Sequence, residues 1–427
     1  TDSRVSYGTT LGSLTFSVDD PAVKTEHEII LPGLSPDTVY YYAIGTTTQT
    51  LAGNDANHFF LTSPTPGTPR STRIWVLGDS GTANDSARAV RDAYYAFTGT
   101  RHTDLWLMLG DNAYSSGSDS AYQAAVFNMY PTMLRKSVLW PTLGNHDASS
   151  ADSATQSGVY YDIFSLPKNA EAGGISSGTE AYYSFDYANI HFIVLDSSDT
   201  DRSPGGAMLT WLWSDLLATT QDWIIAFWHH PPYSKGSHDS DSSSSQMAEM
   251  RKNALPLLEQ GGVDLVLAGH SHSYERSFLL DGHYGTSSTL LPRMILNNGD
   301  GRPTGDGAYE KPTAGLAPHE GAVYTVAGSS GKTGGGSLNH PAMFISLNVL
   351  GSVVLDADGD RLDATFLDST GAVRDTFTVL KGTLNNTPPS VVDDSAVTNE
   401  DTPVSINVLS NDSDPDVDTL TVASVTQ

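Results

Sequence analysis

The sequence predicts a multidomain protein built on a central α/β domain of layered β-sheets flanked by helices, with β-sandwich modules at both ends. Three observations predict it. Between Arg73 and about Gly382, apolar strand-like runs alternate with segments of helical period, the pattern of sheets covered by helices. Residues 1–62 and 391–427 instead carry short β-branched and aromatic runs divided by Pro, Gly and Asp turns. Two proline-bearing linkers, SPTPGTPRST (63–72) and TLNNTPPS (383–390), separate these textures. The expected units are 1–66, 67–384 and 385–427.

Taken in order, TEHEIILPGL (25–34), SPDTVYYYAIG (35–45) and HFFLT (58–62) read as β-structure. A helix is expected over 84–97, with Asn84, Asp85 and Ser86 as cap candidates and Val90, Tyr94 and Phe97 at helical spacing. A second, 207–217, sets Met208, Leu209, Leu212, Trp213, Leu216 and Leu217 on one face. A third, 246–260, ends at Gly261-Gly262, a C-terminal cap signal before the strand VDLVLA. Residues 343–380 turn mostly β, and VSINVL and TLTVASV start a last β-rich module.

Composition narrows the function. A formal charge of -27 argues against nucleic acid as a partner, since a basic face is needed to meet phosphates. Nothing reaches the ~18 consecutive apolar residues of a membrane helix. The chain has no cysteine, which removes disulfides, thiolate metal sites and a cysteine nucleophile. It begins at Thr1 and stops in a strand-like run at Gln427, so it reads as part of a longer polypeptide, and absent targeting signals say nothing about compartment.

The chemistry lies in a recurrence. Apolar runs end in tight polar clusters at RIWVLGDSG (73–81), LWLMLGDNAY (105–114), VLWPTLGNHD (138–147), WIIAFWHHPP (223–232) and VDLVLAGHSH (263–272). Continuous apolar runs suit strands covered on both faces. In open α/β sheets, ligands gather outside the carboxyl ends of strands, so the clusters should converge. They deliver Asp79, Asp111, Tyr114, Asn145, His146, His229, His230, His270 and His272, enough oxygen and nitrogen donors for two metal ions. The preceding Gly78, Gly110, Gly144 and Gly269 suit sharp turns near a ligand. A single Gly-Asp after a strand is ordinary turn chemistry; the ordered set is not.

The order GD-x-G, GD-x-x-Y, GNHD, H-x-P and GH-x-H resembles the metallophosphoesterases, and specifically the purple acid phosphatases. Asp79 is followed by Ser80 and Gly81, where the wider superfamily has D-x-H, and Tyr114 stands at the spacing of the tyrosinate-bearing branch. HSYERS (272–277), YYSFDYANIHFIVLDS (182–197) and VYTVAG (323–328) also match, over about 73–382. Residues 1–62 resemble part of a fibronectin-III-like domain, and the tail is similar to cadherin-like or Ig-like repeats of bacterial exported proteins.

The resemblance implies hydrolysis of phosphate monoesters by a dinuclear Fe(III)–M(II) centre using metal-bound hydroxide, in an extracellular, periplasmic or cell-surface protein. It implies Fe(III) on Asp79, Asp111, Tyr114 and His272. A divalent Fe, Zn or Mn would take Asp111 as bridge, with Asn145, His229 and His270. A phosphodiesterase or nucleotidase on the same ligands, or a non-catalytic exported scaffold, are the alternatives. His229 rather than His230 is selected as ligand because it lies two residues before Pro231; the adjacent pair leaves the reverse open. His146 would position phosphate or protonate the leaving alkoxide, with Asp147 orienting its imidazole. His238 matches a substrate-contacting histidine of plant members, where Asp239 replaces a second histidine.

AGSSGKTGGGS (327–337) invites a P-loop reading, but the glycine spacing fails, and it reads as a loop near the site mouth. Tyr274, Glu275 and Arg276 either brace the metal loop or pack. His27, His58, His102, His191, His283, His319 and His340 are structural or surface by default. NDSDPDVD (411–418) is a candidate Ca²⁺ cluster between modules, with solvated turns as the alternative.

Overall fold

The structure is a computed structural model and describes residues 1–241, 245–382, 389–414 and 420–422. Residues 383–388 of the second linker, Ser242–Ser244, Asp416 and Asp418 of the acidic tail cluster, and most of TLTVASV lie outside the described residues.

Two seven-stranded sheets form the central domain. The first runs, in spatial order, Tyr309–Lys311, Val373–Lys381, Arg361–Asp368, Gly351–Asp358, Thr72–Leu77, Leu105–Met108 and Val138–Pro141. The second runs Tyr183–Tyr187, Ile190–Val194, Trp223–Trp228, Leu265–Ala268, Val323–Ala327, Tyr274–Ser277 and Met343–Leu347. Parallel pairing joins 72–77, 105–108 and 138–141 in one sheet, and 190–194, 223–228, 265–268 and 323–327 in the other. The sheets pack face to face: Trp140 stacks on Phe185 at 3.8 Å between ring centroids, and Tyr274 on Phe366 at 3.9 Å.

Four of the five motif strands are buried throughout, as continuous apolar runs require. The fifth, Val138–Pro141, is an edge strand with Val138 47% exposed, so its apolar run covers one face only. The three motif strands of the first sheet and the two of the second point their carboxyl ends into one crevice.

Helices cover the outer faces. The helix Asp85–Thr98 starts where the Asn84 side chain accepts from the Ala87 N–H. It buries Val90 and Tyr94, with Tyr94 stacked on Trp75 at 4.2 Å, while Phe97 faces solvent. In Ala207–Ala218 the buried set is Met208, Leu209, Trp211, Leu212, Asp215 and Leu216, and Leu217 is exposed. The expected face is thus rotated, because Asp215 reaches inward to His191 at 2.8 Å. The helical stretch from Ser245 to Gly261, containing a π-turn at Met250–Ala254, ends at Gly262 in a left-handed cap.

At the amino end, five strands between Ser3 and Leu61 form an antiparallel sheet. The expected strand at 25–34 is irregular and exposed instead: Ile30 is 79% exposed, and no neighbouring strand pairs with it among the described residues. VSINVL is likewise irregular; Val404, Ile406 and Val408 are exposed, and alternation makes a strand only where a partner buries one face. Among the described residues, no helix is long and apolar enough to cross a membrane.

Candidate metal centre

The five motif turns meet between the sheets, and three residues there adopt left-handed backbone: Asp79 (φ 56°), Asp111 (φ 51°) and His270 (φ 64°). Such angles are costly for non-glycine residues and concentrate at functional sites. Of the preceding glycines only Gly110 has positive φ; Gly144 serves close approach, since a Cβ there would stand 2.0 Å from the Asp111 nitrogen.

Asp79 and Asp111 are buried carboxylates bridged by one phenol. The Tyr114 hydroxyl donates to Asp79 Oδ1 at 3.0 Å and to Asp111 Oδ2 at 2.8 Å. Backbone N–H groups of His270 and His146 donate to the remaining oxygens at 2.6 and 2.9 Å. His272 Nε2 lies 3.5 Å from Asp79 Oδ1. His229 Nδ1 is held by the Leu109 carbonyl at 2.9 Å. Its Nε2 therefore faces Asn145 Oδ1 at 3.0 Å, His270 Nδ1 at 3.2 Å and Asp111 Oδ1 at 3.4 Å.

The electrostatics describe a site built for cations. Burial, partly opposed by His229, pushes the Asp79 carboxyl up to about 7. Burial also opposes ionisation of Asp111, yet His229 and the His146 N–H outweigh it and hold that group below the usual range. Burial and both carboxylates push the Tyr114 phenol far up. His270 is driven strongly down by burial and by the neighbouring imidazoles, and burial and Lys332 push His272 down to about 4.

These donors fit metal ions. In the neutral form that binds a metal, His229 gives its Nδ1–H to Leu109 and turns its Nε2 lone pair to carboxamide and carboxylate oxygens, which are acceptors too. Converging lone pairs without protons between them are what a cation satisfies. Asp79, Asp111 and His229 each offer an atom within 4.8 Å of the others, and so do His229, His230 and His270.

His146, 35% exposed, turns Nδ1 to the Ser115 carbonyl and leaves Nε2 3.9 Å from Asp111 Oδ2. His238 lies over His270 at 4.0 Å and 5.6 Å from His272. His230 is buried, its Nδ1 3.0 Å from the Ser197 hydroxyl. Asp239 is occupied by Lys235 at 2.7 Å.

Asp147 corrects an expectation: it does not orient His146. Its carboxylate accepts from Tyr122 OH, Asn112 N and Nδ2, and Gly144 N at 2.6–3.2 Å, tying the Asp111 turn to the Asn145 turn. The turn at Gly144 aims the Asp147 side chain inward while His146 points outward. Glu275 and Arg276 do brace the structure. Glu275 accepts from Ser234, Lys235 N, Gly236 N and Ser273 beneath the His238 loop, and Arg276 pairs with Asp375 across the sheets. His191, which the sequence leaves as a default structural residue, is fully buried between Asp186 and Asp215. In the tail, Asp412 accepts from Val392 N, a turn contact. Lys332 was overlooked by sequence reasoning, its only signal being a cation inside the rejected GKT run.

Comparison with known proteins bears on this geometry. Residues 72–274 match the family model of calcineurin-like phosphoesterases, and residues 385–427 match that of a bacterial Ig domain. Purple acid phosphatase 15 of Arabidopsis thaliana is 29% identical over 280 residues, covering 59% of this chain and 49% of that protein. Purple acid phosphatase 18 of the same plant is 28% identical over 290 residues, covering 64% of this chain and 60% of the relative. The chain thus spans about half to three-fifths of the length of these curated relatives. A purple acid phosphatase structure from yellow lupin (Lupinus luteus) seeds superposes with a TM-score of 0.64 at 17% identity, over 89% of this chain and 69% of the other. A PhoD structure gives 0.56 at 15% identity, over 89% of this chain and 83% of the other, and both show the shared fold. Residues 72–274 are thus similar to calcineurin-like phosphoesterases, and the central region shares the fold of the lupin purple acid phosphatase structure.

Proposed function

We propose that this chain, carrying a calcineurin-like phosphoesterase domain, is an acid phosphatase that hydrolyses phosphate monoesters with two metal ions. The observation that carries the reading is the convergence of Asn145 Oδ1, His270 Nδ1 and Asp111 Oδ1 on His229 Nε2, beside the Tyr114-bridged Asp79–Asp111 pair. Asp79, Asp111, Tyr114 and His272 would hold Fe(III), and Asp111, Asn145, His229 and His270 a divalent Fe, Zn or Mn. These ions supply Lewis-acid charge against the phosphoryl oxygens and acidify the attacking water.

The protein's own groups do the rest. Water's oxygen bonds to phosphorus as the ester P–O bond breaks, and the departing alkoxide needs a proton. His146, with Nδ1 committed to Ser115, offers Nε2 at the rim for that proton. His238, its ring 4.0 Å from that of His270, orients the ester. Asp147 keeps the Asp111 and Asn145 turns at fixed separation. We further read residues 1–66 as part of a fibronectin-III-like module and 385–427 as the start of a β-module in a secreted or surface-attached protein.

Parallel assays with p-nitrophenyl phosphate and its bis ester, on protein of measured metal content, test the reading. Monoester turnover is expected. Turnover of the diester alone would favour a phosphodiesterase, and none of either, with metal bound, a non-catalytic scaffold. A tyrosinate on Fe(III) also predicts a visible charge-transfer band that Tyr114→Phe abolishes.

A further inference from the structure

The glycine-rich run rejected as a P-loop closes over the candidate centre. Its Ser330 N–H donates to the Gly78 carbonyl at 3.1 Å, and its Gly334 N–H to the His272 carbonyl at 2.9 Å. Between these pins a Cβ at Gly331 would stand 2.5 Å from the Asp79 carbonyl oxygen, so the loop lies directly on the Asp79 turn. The next residue, Lys332, sets its Nζ 3.8 Å from the centroid of the Tyr114 ring. That ring packs edge-on against His146 at 4.6 Å, so the ammonium stands on the same rim as the proposed proton donor.

The ring face holds the ammonium without neutralising it. A cation–π contact orients the charge while its three N–H donors stay free. Among the described residues, the nearby carboxylates Asp111 and Asp79 lie against His146 and His272, and no ion pair takes up Lys332. In a chain with a formal charge of -27, an uncommitted ammonium at this mouth attracts an anion that the rest of the surface repels.

We propose that Lys332 is a specificity-determining residue, its ammonium contacting the free oxygens of a doubly charged phosphate monoester and favouring it over a singly charged diester. The inference rests on the phosphoesterase reading above. The Coulomb term scales with ligand charge, so a cation in contact discriminates between the two ester classes where an apolar side chain does not. The test compares metal-loaded wild type, Lys332→Met and Lys332→Arg with p-nitrophenyl phosphate, bis(p-nitrophenyl) phosphate and, by calorimetry, inorganic phosphate. Lys332→Met should raise the monoester KM and the phosphate Kd about tenfold, the factor one charge-assisted hydrogen bond carries. The loss should fall on KM more than on kcat, the diester KM should shift less than about threefold, and Lys332→Arg should recover most of the affinity. Equal phosphate binding by wild type and Lys332→Met, or equal weakening of both esters, would overturn the inference. A wild type that binds phosphate but turns over neither ester would overturn the phosphoesterase reading instead, with calorimetry still deciding on Lys332. A wild type that binds no phosphate overturns both.

Discussion

His229 donates its Nδ1 hydrogen to the carbonyl of Leu109, at 2.9 Å, and this bond sets how its ring faces the candidate centre. It directs Nε2, the atom that a neutral imidazole so held keeps as acceptor, toward Asp111 and Asn145. His230, one residue on, turns its Nδ1 to Ser197 instead. The expected outcome is that His229→Ala loses one metal ion per chain while His230→Ala keeps both, measured by inductively coupled plasma mass spectrometry after dialysis. Equal metal loss in the two variants would contradict the assignment.

His146 and Asp147 are neighbours with separable tasks. His146→Ala should keep its metal and lose roughly 10²–10⁴-fold in kcat, the usual range for a general acid. Asp147→Ala should weaken metal affinity about 10–100-fold, as loss of a supporting group around a metal site does. It removes the acceptor that joins Asn112 and Gly144 and leaves Tyr122 unpaired in a buried position. Metal titration followed by activity at saturating metal separates the two effects.

Much of the site was legible because every ligand candidate follows one of the five motif strands within one to six residues. A continuous apolar run ending in Gly-Asp or Gly-His fixes both the element and the end at which the donor sits. The direction of Asp147 was not legible, because it depends on how the turn after Gly144 folds onto Asp111. Lys332 was hidden for a different reason: its partner is the Tyr114 ring, more than 200 residues away in sequence, and no local pattern encodes that contact. The irregular stretches at 25–34 and 404–409 show the converse. The first has a β-branched run and the second alternates like a strand, but such patterns report what a strand would bury and not whether a partner is present.

His191 predicts a pH dependence of stability remote from the metal centre. Burial would lower its pKa, but bonds to Asp186 and Asp215 at 2.7 and 2.8 Å outweigh this and raise it to about 9. The folded chain therefore binds a proton that an unfolded histidine, with a pKa of about 6.5, releases. This stabilisation is complete below about pH 6.5 and is lost as pH rises through about 9, a contribution of roughly 3 kcal/mol. Urea unfolding of wild type between pH 6 and 10 should show stability falling across that window. Asp215→Asn, which keeps a polar partner but removes a charge, should flatten the slope; an unchanged slope would assign the dependence elsewhere.

Arg276 and Asp375 join the two sheets through a pair with both side chains fully buried. Arg276 Nε and Nη2 donate to the two oxygens of Asp375 at 2.7 and 3.0 Å, and Tyr274 OH and Arg302 Nη2 add bonds to the same carboxylate. The guanidinium also lies 4.5 Å from the Phe344 ring centroid and 5.1 Å from that of Phe377, so its removal would cost packing as well as charge. Breaking a buried pair from one side leaves an uncompensated charge, which typically costs about 3–5 kcal/mol. Asp375→Ala should therefore lower stability by about that amount. Asp375→Asn retains one acceptor oxygen and much of the packing, and should cost less. Arg276 begins two strand positions after Tyr274, on the strand that leaves the His270–His272 turn, so loosening this joint should reach the centre as well. Calorimetric Tm and metal affinity measured on the same samples check both effects: Asp375→Ala should lower the two together, and a lowered Tm with unchanged metal affinity would confine the pair to holding the sheets.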